Sequence, residues 1–108
     1  MTDLTRDSYK VLCLMYDLYQ KKVKGGISKT QAKEFEDGFY KGEKKLAKWH
    51  EDDVEAALQE LSDKNYLTAD ILDNHRLTDQ AIITMENKLK ENASEILEVL
   101  GTLSNFVP

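Results

Sequence analysis

Between residues 51 and 90 the spacing of apolar positions changes twice, from helical to alternating and back to helical. In EDDVEAALQELSDK, Val54, Ala57, Leu58 and Leu61 recur at i, i+3, i+4 and i+7, which predicts an amphipathic helix over 51–64. Asn65 and Tyr66 close it. Leu67, Ala69 and Ile71 then alternate with Thr68 and Asp70, the period of a half-buried strand. Asp73 and Asn74 supply a turn, because both residues tolerate unusual backbone angles. His75, Arg76 and Leu77 form the return strand, and Thr78 stands where a helix N-cap belongs. Helix, ribbon, helix is the back half of a winged helix-turn-helix. The predicted class is therefore mainly α with a small β-ribbon (α+β), carrying an additional C-terminal helix.

Upstream, Leu4, Val11, Leu12, Met15, Leu18 and Tyr19 form one wide stripe on a helix from about residue 4 or 5 to 23. Cys13 falls near Arg6, Asp17 and Gln20, toward the polar side, and reads as an ordinary boundary cysteine. Gly25 and Gly26 end the helix, since glycine accepts the left-handed C′ conformation. Ser28-Lys29-Thr30-Gln31 fits a capping box, with Ile27 and Ala32 as its hydrophobic staple. It predicts a second helix over 29–36 with Ala32 and Phe35 inward. Ile27 is also placed to add a short third strand to the ribbon.

Downstream, Ile82, Met85, Leu89, Ile96, Val99 and Leu103 fit a seven-residue repeat with Asn92 in the remaining slot. One long helix pairing with a second copy would use that seam. Alternatively Asn92 caps a separate helix over about 93–105, with Glu95 as its capping-box partner and Ile96, Leu97 and Leu100 packing back on the first helix. Gly101 weakens the long-helix version, so a break at 90–93 is favoured. A homodimer through the C-terminal helix is compatible with both. The chain reads as one domain over 1–108, with its core at about 4–90.

The segment DGFYKGEKKLAKW, residues 37–49, is longer than the three or four residues of a normal helix-turn-helix connection. It interleaves Phe39, Tyr40 and Trp49 with Lys41, Lys44, Lys45 and Lys48, the pairing of cations and aromatic faces that single-stranded nucleic acid uses. The bland alternative is that the aromatics plug the core and the lysines are solvated. Charge is correspondingly uneven. Residues 21–48 carry nine lysines against four carboxylates, whereas residues 49–108 carry four cations against thirteen carboxylates, within a net charge of −5.

The face of the 51–64 helix opposite its apolar stripe holds Asp52, Ala56, Gln59 and Asp63, flanked by Glu55 and Glu60. In the usual docking that face enters the major groove. Its carboxylates would meet phosphates, whose neutralisation dominates DNA affinity, so groove reading by this helix is disfavoured.

Other classes are excluded by what the chain lacks. Its longest apolar run, residues 11–16, falls well short of the roughly 20 residues of a membrane span, and MTDLTRDSYK has no signal-peptide pattern. A cytoplasmic protein is expected, in which the sequon Asn92-Ala93-Ser94 has no meaning. One cysteine rules out an internal disulfide. His50 and His75 have no ligand set at metal-site spacing, so surface or cap roles are expected and no metal or cofactor is. No phosphate loop, nucleophile elbow or H-E-x-x-H is present, so no enzyme is expected.

AALQELSDKNYL, a short ribbon and then LTDQAIITMEN resemble the small bacterial and prophage winged-helix proteins of the YjcQ-like group. The similarity covers most of residues 9–89, and MarR-like and PadR-like regulators share the outline. It implies a winged-helix fold and DNA binding. The acidic third helix and the long lysine-aromatic insert depart from that pattern. Two readings follow. In the first, a transcription regulator or prophage accessory protein contacts DNA or another nucleic acid through Lys29, Lys33, Lys41, Lys44, Lys45, Lys48 and Arg76. In the second, an interaction module binds a basic protein through its acidic third helix and does not bind DNA.

Overall fold

The computed structural model describes residues 3–103, with the side chains of 102 and 103 left aside. It is mainly helical with one small antiparallel sheet, in the order α1 (Arg6–Lys24), α2 (Lys29–Ala32), β1 (Glu34–Phe35), α3 (Glu51–Asp63), β2 (Leu67–Ala69), β3 (His75–Leu77) and α4 (Asp79–Leu103).

The centre of the molecule is α1. It packs on α2, α3 and α4 together, so it has no polar side along its middle. Every side chain from 11 to 16 is buried, Cys13 as deeply as Val11 and Met15. The expected boundary position of Cys13 is thus wrong, because a helix covered on several sides loses the polar face that a two-sided reading assigns to it. Burial pushes the Cys13 thiol up to about 12.

Caps set the helix ends. Thr5 Oγ1 accepts from the Ser8 N–H at the start of α1. At its end Gly26 takes φ 98°, and the N–H groups of Gly26 and Ile27 donate to the Val23 and Lys22 carbonyls. That is the Schellman pattern. Asn65, at φ 69°, closes α3 in the same way, with Tyr66 N–H donating to Leu61 O. Thr78 Oγ1 accepts from Ala81 N–H at 3.1 Å as the cap of α4.

The second helix is shorter than expected. Ser28 caps it as foreseen, its hydroxyl accepting from Gln31 N–H at 3.2 Å, but the helix ends at Ala32, and after the C-cap Lys33 the chain turns extended at Glu34. Phe35 reaches the core in extended backbone instead, pairing with His75 while Glu34 pairs with Arg76. The third strand therefore exists, in order β1-β3-β2, but Glu34–Phe35 supplies it and Ile27 stays exposed.

The last helix breaks at Asn92, which has φ −157° and ψ 76°. Asn92 Oδ1 accepts from Glu95 N–H at 3.1 Å and from Ser94 Oγ at 2.8 Å. The two-helix alternative thus holds. Ile96 enters the core, Val99 and Leu100 pack against it, and Leu97, expected to face α1, is exposed. Residues 104–105 of the expected C-terminal helix lie outside the described residues.

Candidate interaction surface

Two short 3-10 turns, Phe39–Gly42 and Lys44–Leu46, fill the segment before α3. Its aromatics do not form an exposed stacking platform. Tyr40 is 6% exposed and Trp49 7%. Phe39 is half-buried, its ring 5.0 Å from Phe35 and 5.8 Å from Tyr40 between centroids. The physical reason is area: each large ring contributes more as core than it would in water. Tyr40 donates its hydroxyl to the Glu55 carboxylate, which with burial raises the phenol far above its ordinary value.

The seven cations expected to contact nucleic acid divide into two groups. Lys33, Lys41, Lys45 and Arg76 have intramolecular partners. Lys33 Nζ donates to Asp79 Oδ1 at 2.9 Å, a bond that holds the Asp79 carboxyl below its usual range. Lys41 lies 3.6 Å from Glu51, and Lys45 Nζ donates to the Leu100 carbonyl at 3.1 Å. Arg76 Nη1 donates to Thr30 O at 3.2 Å and lies 3.7 Å from Glu34 Oε1. Lys29, Lys44 and Lys48 are exposed, with no ion-pair partner among the described residues. Lys33 and Arg76 thus gather around β1, β3 and the start of α4. Lys41 and Lys45 are tied to the start of α3 and the end of α4.

The outer face of α3 keeps Asp52 and Asp63, but of the carboxylates expected to flank it Glu60 turns to Thr5 and Ser8 at the start of α1 and Glu55 accepts from Tyr40. Asp52, Ala56, Gln59 and Asp63 are all exposed. His50 caps the helix, its Nδ1 accepting from Asp52 N–H at 3.1 Å, and Glu51, Asp52 and Asp53 occupy the first turn, where the helix dipole favours anions. Gln59 Nε2 donates to Asp63 Oδ1 at 2.9 Å. The one cation at the end of α3, Lys64, is turned toward Glu60 and Asp3.

Beyond α3 the ribbon pairs Leu67 with Leu77, Thr68 with Arg76 and Ala69 with His75. Strand pairing stops at Ala69, so Ile71, expected on the inner face, projects into solvent. The alternation ends early because the Asp70 side chain bonds the turn backbone, at Leu72 N–H (2.8 Å) and Asn74 N–H (3.0 Å). An Asp placed to make an Asx-type turn was the sequence signal for this.

A groove of about 470 Å³ on the sheet is lined by Glu34, Glu36, Asp70, His75 and Arg76 among others. A second groove, about 700 Å³, has Leu18, Ile27, Phe35 and Phe39 as apolar walls, with Lys22 Nζ 3.9 Å over the Phe35 ring. Among the described residues, no group of three His, Cys, Asp or Glu could hold a metal ion. Nor is any helix among them long and apolar enough to cross a membrane. Compared with family models, with curated proteins and with solved structures, the chain matches none.

Proposed function

We propose that the protein is a non-enzymatic, cytoplasmic winged-helix module that binds a basic protein partner through the exposed acidic face of α3. The winged-helix part of this reading is supported by the hairpin β2–β3 directly after α3 and by the third strand β1 alongside β3. Such a scaffold alone does not specify function. The observation that carries the reading is the exposed row Asp52, Ala56, Gln59 and Asp63, to which no Lys or Arg among the described residues is paired. Such a row attracts cations and repels phosphates.

The test combines charge reversal with a DNA control. Asp52→Lys and Asp63→Lys together should release a partner recovered with the wild-type chain, and the wild type should not shift duplex or single-stranded DNA at low salt. Partners retained through both reversals would sink the reading.

A nucleic-acid-binding regulator or prophage accessory protein is the second reading, favoured by the exposed Lys29, Lys44 and Lys48, which have no ion-pair partner among the described residues. It predicts a DNA shift that weakens steeply with salt and disappears when Lys41, Lys44, Lys45 and Lys48 become Ala together. Most described apolar positions of α4 serve this chain's own core, which leaves Ile83 and Leu97, among the described side chains, as exposed aliphatics for a homodimer.

A further inference from the structure

The tip of the β2–β3 hairpin presents two aliphatic side chains that the core does not use. Ile71 is 98% exposed and Leu72 70%. They are held out by an ordered turn. Besides its two bonds to the turn backbone, the Asp70 carboxylate accepts from Asn74 Nδ2 at 3.1 Å, and the Asp70 N–H donates to Asn74 O at 3.0 Å. Asp73 takes the left-handed conformation, φ 61°, and Asn74 Oδ1 accepts from Asp37 N–H at 3.0 Å, bracing the hairpin against the segment after β1. A turn already ordered in the free protein loses little freedom on binding.

Exposed aliphatic pairs insert into three kinds of surface: a base-pair step of DNA, a lipid headgroup layer, or an apolar socket on a protein. Charge separates them. Asp70 and Asp73 bracket the pair. The ribbon's one cation, Arg76, is engaged by Glu34 and the Thr30 carbonyl. Phosphate-bearing surfaces are therefore repelled at the tip, whereas Lys or Arg around a socket is attracted.

We infer that the hairpin tip is a docking knob whose Ile71 and Leu72 enter an apolar socket rimmed by Lys or Arg on a basic protein partner. This rests on the reading that the partner is a basic protein, and it adds a second, apolar contact to the acidic face of α3.

The test uses the full chain and a displayed library of random peptides as the probe. Selection should enrich peptides that combine Lys or Arg with Leu, Ile or Phe. Their affinity should fall at least about tenfold for Ile71→Ser/Leu72→Ser, a change read directly in Kd. Asp73→Asn, which leaves the Asp70 bonds of the turn in place, should weaken them at low salt and much less at high salt. Ile83→Ser and Leu97→Ser, which remove exposed aliphatics elsewhere, should leave them unchanged, and unaltered melting of each variant confirms the fold. Enriched peptides that bind Ile71→Ser/Leu72→Ser as tightly as wild type, or enrichment without basic residues, would overturn the knob. If Asp52→Lys/Asp63→Lys abolishes binding while the tip variants do not, the knob falls and the acidic face stands. If only the tip variants lose binding, the acidic face falls and the knob stands. A shift of duplex DNA that is lost in Ile71→Ser/Leu72→Ser would overturn both.

Discussion

Glu60, on α3, accepts a hydrogen bond from Ser8 Oγ, on α1, at 2.8 Å, and it also takes the Thr5 N–H at 2.9 Å and the Thr5 hydroxyl at 2.8 Å. One carboxylate thereby satisfies the first turn of α1 and clamps it to α3. Ser8 is buried, so if that acceptor is removed its hydroxyl is left with the more distant Ala57 carbonyl at 3.5 Å.

Glu60→Ala should cost about 2 kcal/mol and Ser8→Ala about 1 kcal/mol, measured by denaturant unfolding. Desolvation alone would raise the Glu60 carboxyl, but the hydrogen bonds from Thr5 and Ser8 and the nearby Lys64 together hold it below its ordinary value. A carboxyl lowered by folding adds stability above the ordinary Glu value of about 4.3 and loses it as pH falls through the lower folded value. The gap in melting temperature between wild type and Glu60→Ala should therefore shrink between pH 7 and pH 3. A gap that widened on acidification would contradict the clamp.

Asn92→Ala removes the acceptor for the Glu95 N–H and the Ser94 hydroxyl. A lost N-cap of this kind costs about 1 kcal/mol. Amide hydrogen exchange should quicken first at residues 94–96, while the 51–63 amides keep their protection. Uniform loss across the chain would show that the break is not a local capping site.

The buried Cys13 thiol, raised to about 12, should not react with an aromatic disulfide reagent at neutral pH while the protein is folded. In denaturant it should react at the rate of a free thiol. Fast labelling of the native chain would mean that α1 is not covered as described.

Trp49 is the only tryptophan, and it is buried. Its emission should be blue-shifted in the native protein and should stay so when oligo-dT is added, because no ring face is offered for stacking. Trp49→Ala should cost about 3–5 kcal/mol by unfolding. Quenching by single-stranded DNA would restore the stacking reading.

What was legible in the sequence is what local chemistry decides. Gly25-Gly26, Asn65, Thr78 and Asn92 mark helix ends because each bonds the backbone within a few residues, and the helix ends follow them closely. Long-range contacts were not legible. Helical spacing cannot count how many neighbours cover α1, so Cys13 looked half-polar. Nor does it show that Phe35 gains more from pairing opposite His75 than from extending α2. The cations are the clearest case at the candidate site. Lys33 finds Asp79 and Lys45 finds Leu100 across stretches of chain that no spacing rule connects, whereas the acidic row on α3 depends on helical period alone and appears where expected.

The enclosure of α1 also changes what the segment after Asn92 is. Cys13 feels the charges of Lys88 and Glu95, one on each side of the break, and Ile96 sits in the same core as Val11 and Met15. The segment is a wall of the domain rather than an appendage to a finished fold, and a chain cut at residue 91 would be a box with one side open.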